Sequence, residues 1–220
     1  MRLKEQNDTF LKKKCMKTAL LSLQLTNYTR SDFMSLTNKD ESKKIVLGSG
    51  EIYVTKWDGK TIPEDATLET ESNRLGHVSG GATFTYSSES YTAQDDMGKV
   101  KKIITTSETG TLGFGICTFN GVTLSKLCKT ARSTEASGHR KTKIGGISVA
   151  DETSYIFRFY HHDTVDGDVR LTVVGKNSAD LEIAFKKDTE TVLNPEITAE
   201  PFDDEGTLAL YDEEIPTEET

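Results

Sequence analysis

The chain is poor in the residues that build disulfide frameworks, membrane spans and phosphate sites. Its 220 residues include three cysteines, Cys15, Cys117 and Cys128, an odd number without metal-ligand spacing. This count argues against a disulfide framework and fits a reducing compartment. No apolar run approaches the ~18 residues that a membrane-spanning helix needs. The formal net charge of −8 disfavours binding to nucleic acid or anionic membranes, because phosphate binding requires clustered lysine and arginine.

Patterns typical of enzymes are also weak. Gly48-Ser-Gly50 is only a GxG, without the third glycine and following helix that dinucleotide binding requires. His161 and His162 are adjacent on a predicted strand, so their rings point to opposite faces and cannot easily share one ion. There is no GxSxG elbow, and no cysteine has a histidine at an informative spacing. We therefore expect no catalytic residue, no metal and no cofactor.

Charge divides the chain into unequal parts. Residues 1–33 contain seven basic and three acidic residues, a net charge of +4, so the remaining residues carry −12. Lys12-Lys13-Lys14 before a short apolar stretch resembles a signal peptide, but no small-x-small cleavage site follows. We interpret residues 1–33 as a basic extension that is disordered or precedes the natural start at Met34. Residues 34–215 form the predicted domain, and residues 216–220 an acidic tail.

From Ile45 onward, apolar and polar side chains alternate with a period of two, which predicts half-buried β-strands. Turn pairs such as Asn120-Gly121 and Asp58-Gly59 separate the strands. We predict a mainly β fold, a β-sandwich with one flanking α-helix, a long hairpin and a disordered N-terminal extension. The predicted strands centre on residues 52–54, 82–86, 112–116, 155–160, 169–174, 181–185 and 208–210.

One segment has helical spacing. Leu124, Leu127, Cys128 and Ala131 fall at i, i+3, i+4 and i+7, with Asn120 or Thr123 available as an N-cap. We expect this helix to cover one open face of the sandwich and to belong to the core.

Residues 87–102 have strand-like ends and a polar, turn-like middle around residues 95–98. This pattern predicts an extended hairpin. A two-stranded ribbon alone is marginally stable in water, so a partner chain is the more economical explanation, and a mobile surface loop is the alternative.

The order of these features over residues 43–215 resembles that of bacteriophage major tail proteins, the tail tube family of long non-contractile tails. Val46-Leu-Gly-Ser-Gly-Glu-Ile-Tyr53 opens the pattern, and Leu75-Gly-His-Val-Ser-Gly-Gly81 precedes the strand with Phe84 and Tyr86. The long hairpin, the short helix and Lys143-Ile-Gly-Gly146 follow. Phe202-Asp-Asp-Glu-Gly-Thr-Leu208 closes it.

The resemblance implies a structural virion protein made in the host bacterial cytoplasm and located in the tail. Such proteins assemble as hexameric rings stacked into a tube, the conduit for viral genome ejection, and meet tape measure, tail terminator and baseplate proteins. DNA passes through the tube without specific binding, which agrees with the acidic body of this chain. Neither a catalytic motif nor a membrane contact is implied.

Within this interpretation, nine residues are candidate site residues. The long hairpin is expected to contact the adjacent ring, and carboxylates are expected to face the lumen. The hairpin candidates are Tyr91, Gln94, Asp95, Asp96, Met97 and Lys99, and the lumen candidates are Glu89, Asp180 and Glu182.

A different class also fits the composition, namely a β-sandwich adhesion or carbohydrate-binding module. Such a module would present aromatic side chains to solvent and remain monomeric. Trp57 beside Asp58 is the only feature that points to it.

Overall fold

Antiparallel strands are the predominant regular secondary structure of the chain. The computed structural model describes residues 48–164 and 166–215, and these belong to a single compact unit of the chain. The predicted N-terminal extension and the acidic tail 216–220 lie outside the described residues. The elements are β1 (Glu51–Lys56), α1 (Asp65–Leu68), β2 (Arg74–Gln94), β3 (Lys101–Ile116), α2 (Gly121–Leu127), β4 (Arg132–Ala136), β5 (His139–Lys143), a 3-10 turn (Ile147–Val149), β6 (Tyr155–His161), β7 (Val169–Asn177), β8 (Glu196–Ala199) and β9 (Ala209–Glu213).

Seven strands form one large sheet in the order β6-β1-β2-β3-β8-β7-β9, and β4 pairs with β5 separately. β6 also pairs with β7 along its whole length, from Tyr155↔Gly175 to His161↔Val169. The sheet therefore closes on itself, and two layers joined at their edges face each other across a common core. The predicted mainly β fold with a sandwich-like core is confirmed.

The interior of the closed sheet holds the main hydrophobic core. Its apolar side chains come from alternate positions of the strands, as the period of two requires. A second, smaller cluster on the outer face packs Leu68 against Ile156 and Val174. The main cluster consists of Ile52, Val54, Leu75, Leu112, Phe114, Ile116, Leu124, Leu127, Phe157, Val173, Leu193 and Ile197.

Glycines occur where backbone segments meet closely or the ladder is interrupted. A Cβ on Gly50 would lie 2.4 Å from the carbonyl oxygen of Tyr160. A larger residue at position 50 would therefore clash with β6 where β1 begins to pair with it. Gly80 and Gly81 have positive φ values of 82° and 77° at the register shift between Val78 and Ala82. The Gly80-Gly81 pair thus forms a bulge.

The predicted helix forms as α2 and is shorter than its stripe suggested. Asn120 Oδ1 accepts hydrogen bonds from the backbone N–H groups of Val122 and Thr123, at 2.8 and 3.2 Å, which caps the helix. Leu124 and Leu127 are buried in the core, while Cys128 ends the helix as its C-cap. No helix among the described residues is long and apolar enough to cross a membrane.

The predicted strand at residues 181–185 is wrong. These residues are irregular in structure, although Leu181 and Ile183 still pack against the main core. β8 occupies the position between β3 and β7, where it pairs with both, so neither strand has a free edge at that level. Without a partner edge, alternation alone does not produce a strand.

We expect Leu127→Asp to lower the free energy of unfolding by about 3–5 kcal/mol, because it places a carboxylate among core side chains. Leu127 is 3% exposed. Urea denaturation followed by circular dichroism measures the loss, and insoluble protein would be its extreme form. Val122→Asp on the exposed face of the same helix is the control, with a change of about 0.5 kcal/mol or less. A soluble Leu127→Asp protein of normal stability that fails to assemble would place the helix in an interface instead.

Candidate functional site

His161 and His162, the best metal-like pair in the sequence, lie in different environments. His161 is buried, with Nδ1 2.9 Å from the carbonyl oxygen of Ser49. His162 is exposed, with Nδ1 2.7 Å from Oδ1 of Asp168. Within residues 48–164 and 166–215, no group of three or more His, Cys, Asp or Glu side chains is placed to hold a metal ion.

A buried arginine holds α1 against the outer face of the closed sheet. Arg158, at the centre of β6, is 4% exposed. Its guanidinium pairs with Asp65 and, at 3.1 Å, with Glu69, and its Nε donates a hydrogen bond to Oγ1 of Thr172 at 2.9 Å. Sequence analysis missed this network. The available signal was an arginine inside an apolar strand together with two carboxylates four residues apart, which share one face of a helix.

Arg170 extends the same network toward the end of β6. Its Nε donates to Oε1 of Glu69 at 2.8 Å, and its guanidinium lies 4.9 Å from the centre of the Tyr160 ring. The Tyr160 hydroxyl donates to Oδ2 of Asp168 at 2.7 Å. These charges are compensated within the network, so its role is to hold the outer layer in place.

The pKa values in the network also favour a structural role. Burial, together with the hydrogen bond to Asp168, raises the pKa of Tyr160 to about 12. Burial opposes ionisation of Asp168, but hydrogen bonds from Tyr160 and His162 outweigh it and lower the pKa of this carboxyl below its usual value. Near neutral pH the phenol therefore stays protonated and the carboxylate stays ionised, so neither is suited to exchange a proton in catalysis.

The most distinctive feature is the ribbon, which we define as residues 85–109 at the outer ends of β2 and β3 together with their turn. The hairpin arms, Arg74–Gln94 and Lys101–Ile116, are longer than the predicted 87–102. Every residue of the ribbon is exposed. At about 3.3 Å per residue, the paired arms extend roughly 30 Å from Thr85 to the turn. The predicted hairpin is confirmed, and it projects from the body.

The turn of the ribbon is well defined. Asp95 Oδ1 accepts a hydrogen bond from Val100 N–H at 2.8 Å, and Gly98 adopts a positive φ of 68°. The six residues expected to contact another ring all lie in the outer part of the ribbon. Their contact with another ring stays a prediction. Tyr91 and Gln94 are in the last part of β2, and Asp95, Asp96, Met97 and Lys99 are in the turn.

Apolar side chains on the ribbon are open to solvent. Met97 is 75% exposed and Val100 68% exposed. Tyr91 lies opposite Ile104 in the ladder, so these two side chains share a face, and Ile103 lies on the other face. Exposed apolar groups on both faces of a projecting arm favour contact with another molecule over a purely monomeric state.

The structure does not bring the three lumen candidates together. Glu89 lies on the ribbon, where its Oε2 accepts a hydrogen bond from Ser107 at 3.2 Å. Asp180 and Glu182 lie in the irregular segment after β7, and Asp180 lines a cleft of about 410 Å³ beside the end of α2. Their placement in a lumen stays a prediction.

Trp57 does not form a solvent-facing binding platform. It packs against the outer cluster of Leu68, Ile156 and Val174, and the neighbouring Asp58 accepts a hydrogen bond from Lys60 N–H at 3.0 Å. The feature that pointed to a carbohydrate-binding module is therefore part of the packing of the domain.

We expect Glu69→Gln to lower the free energy of unfolding by about 1–3 kcal/mol, because it removes a charge that two arginines share in a largely buried site. Glu71→Gln is the matched control: Glu71 also pairs with an arginine, Arg74, but is 84% exposed, so its loss should cost at most about 0.5 kcal/mol. Urea denaturation of both variants measures the difference. Equal effects would contradict a stabilising role for the buried network.

No protein-family model matches this chain, and no curated protein matches it significantly. Its function must therefore be inferred from the fold and the surfaces described above.

Proposed function

We propose that this protein is a structural subunit that associates with copies of itself, ring upon ring, to build the tail tube of a bacteriophage. In this role it is part of the virion tail, a conduit for DNA, and not an enzyme. At its ends the tube meets other tail proteins. The observation that carries the proposal is the ribbon, an arm of regular structure that the domain itself does not cover.

The exposure of the ribbon favours a partner. An isolated two-stranded hairpin is marginally stable in water, because its few side-chain contacts barely offset the conformational entropy that folding removes. The ribbon is exposed on both faces and carries Tyr91, Ile104, Met97 and Val100 at its outer part. Contact with a second subunit would bury these groups and supply the missing stabilisation.

The outer edges of the ribbon are open as well. β1 pairs with β2 only at residues 74–77, and β8 pairs with β3 only at residues 111–113. Over residues 85–94 and 101–110 the outer edges have no partner strand among the described residues. Such edges recruit other chains, and a head-to-tail interface that closes on itself forms a ring.

Charge supports passage of DNA without binding. Outside residues 1–33 the chain carries −12, and a wall of the same sign as the phosphate backbone does not retain a long polyanion. The family resemblance supports the sixfold ring, and the exposed ribbon supports self-association.

Negative-stain electron microscopy of the purified full chain tests the proposal. We expect rings or tubes at high protein concentration. Featureless monomers under all salt conditions, confirmed by sedimentation velocity, would overturn it.

We expect replacement of residues 91–100 by a short Gly-Ser turn to leave a folded monomer that no longer builds long tubes, because the contact between successive rings is lost. Thermal unfolding checks the fold, and microscopy checks the tubes. Normal tubes from this variant would contradict a role for the ribbon in assembly.

Point variants separate the apolar contact from the presence of the arm. Tyr91→Ser with Ile104→Ser removes one cross-strand apolar pair and should weaken assembly about tenfold or more. Ser87→Ala with Thr109→Ala, a pair on the same face nearer the body, is the control and should assemble normally.

A further inference from the structure

The strand directions place the ribbon and the small β4–β5 sheet at opposite ends of the domain. The connection from β2 to β3 is the ribbon turn, and residues 117–154 lead from the end of β3 to the start of β6. In an antiparallel sheet, successive connections lie at opposite ends. We call these the ribbon end and the helix end, since α2 lies at the latter.

The β6–β7 turn and the last residues of β9 lie at the ribbon end. β6 and β2 are both antiparallel to β1, so they run in the same direction. β9 and β6 are both antiparallel to β7, so β9 also runs toward that end. The end of β9 therefore lies beside residues 162–164 and 166–168 at the ribbon end, where Glu214 N–H donates to the carbonyl oxygen of Asp168 at 2.8 Å.

One face of the β4–β5 hairpin is basic and uncovered by its own domain. Ser133 and Thr142 are paired and lie close to Gly121, where a Cβ would meet their hydroxyl oxygens at 2.8 and 2.2 Å. That face packs on the start of α2. The opposite face carries Arg132, Thr134, Lys141 and Lys143, because the register pairs Arg132 with Lys143 and Thr134 with Lys141.

The carboxylate of the hairpin does not neutralise this basic face. Glu135 pairs with Arg140, so both lie on the face toward α2, and Arg140 Nε donates to Glu135 Oε1 at 2.6 Å. Lys141 and Lys143 are exposed. Arg132 donates to the carbonyl oxygen of Gly145 at 2.9 Å, which holds the loop that presents Ile147, an isoleucine 92% exposed.

Two segments at the ribbon end are acidic, although the ribbon itself also carries Lys99, Lys101 and Lys102. Residues 162–168 and 209–215 contain no lysine or arginine. Asp212 and Glu214 are exposed, whereas Asp168 is already engaged with Tyr160 and His162. The carboxylates of these two segments are Asp163, Asp166, Asp168, Asp212, Glu213 and Glu214.

We propose that the basic face of β4–β5 is the contact surface for the acidic ribbon end of a second copy of this chain. The inference rests on the proposed self-assembly and assigns its polarity. Opposite charges at opposite ends favour head-to-tail stacking, and they disfavour contacts between two ribbon ends or two helix ends, which would place like charges together. We favour a second copy over a nucleic acid as the occupant of the basic face, because a copy stacked head to tail would bring its acidic ribbon end against that face.

The test compares full-chain variants by light scattering and sedimentation as protein concentration rises. Lys141→Glu with Lys143→Glu should raise the concentration at half-maximal assembly roughly tenfold or more, and Asp212→Lys with Glu214→Lys should do the same. Combining the four changes should recover much of the loss, because the charges are opposite again. Lys141→Arg with Lys143→Arg keeps the charge and should assemble like the wild type. Wild-type assembly should weaken as salt rises to about 0.5 M.

The outcomes separate this inference from the proposed function. Wild-type assembly with no effect of either charge reversal would overturn the inference and leave the tube proposal intact. A wild-type protein that never assembles would overturn both. Normal thermal midpoints in the variants confirm that they fold. The inference would also be overturned if Lys141→Glu with Lys143→Glu left assembly unchanged but abolished a retention on a duplex DNA column that the wild type shows. That result would make the face a nucleic-acid surface.

Discussion

The pairing of β6 with β7 closes the large sheet on itself by joining its first strand to the strand before the last, and most other features follow from that closure. Because the ladder runs from Tyr155↔Gly175 to His161↔Val169, the inner positions of both strands face one enclosed space, which large apolar side chains fill. Closure also leaves the domain body few open edges. The longest open edges among the described strands lie on the ribbon, which makes it a favourable place for contact with another chain.

Charged residues occur in two physically different environments in this domain. On the outer face, Arg158 is almost fully removed from water, so it needs Glu69, Asp65 and Thr172 as partners to offset its desolvation. At the two ends, Lys141 and Asp212 remain in water and contribute little to folding. Surface charges of this kind act mainly on the rate, orientation and specificity of association. The first set stabilises the subunit, and the second is suited to orienting one subunit against another.

An exposed ribbon and a charge difference between the ends suit a subunit that stacks. The arm projects roughly 30 Å from the body. The end that bears the ribbon carries two acidic segments, and the opposite end bears the basic β4–β5 face. The proposed stacking in one orientation would bring these unlike surfaces together, and repeating that contact would generate a long, polar assembly.

The sequence by itself determined the local structure of this protein. Alternation predicted β3, β6 and β7 because side chains on a strand alternate between faces. Asn120 or Thr123 was expected to cap the helix, and Asn120 does so in the structure. The polar run after Tyr86 predicted the long hairpin. The bulge at Gly80-Gly81 also has a local cause, because its positive φ values favour glycine.

Tertiary structure decided which of these local tendencies were realised and where they lie. Residues 181–185 alternate like a strand but remain irregular, because β8 already occupies the space between β3 and β7. The sequence around Arg158 did not identify its partners, since Asp65 and Glu69 reach it only when α1 folds over β6. The acidic and basic ends likewise exist only because the strand directions separate residues 132–143 from residues 209–215. Sequence patterns report what neighbouring residues prefer, whereas pairing partners and shared surfaces depend on contacts between residues far apart in the chain.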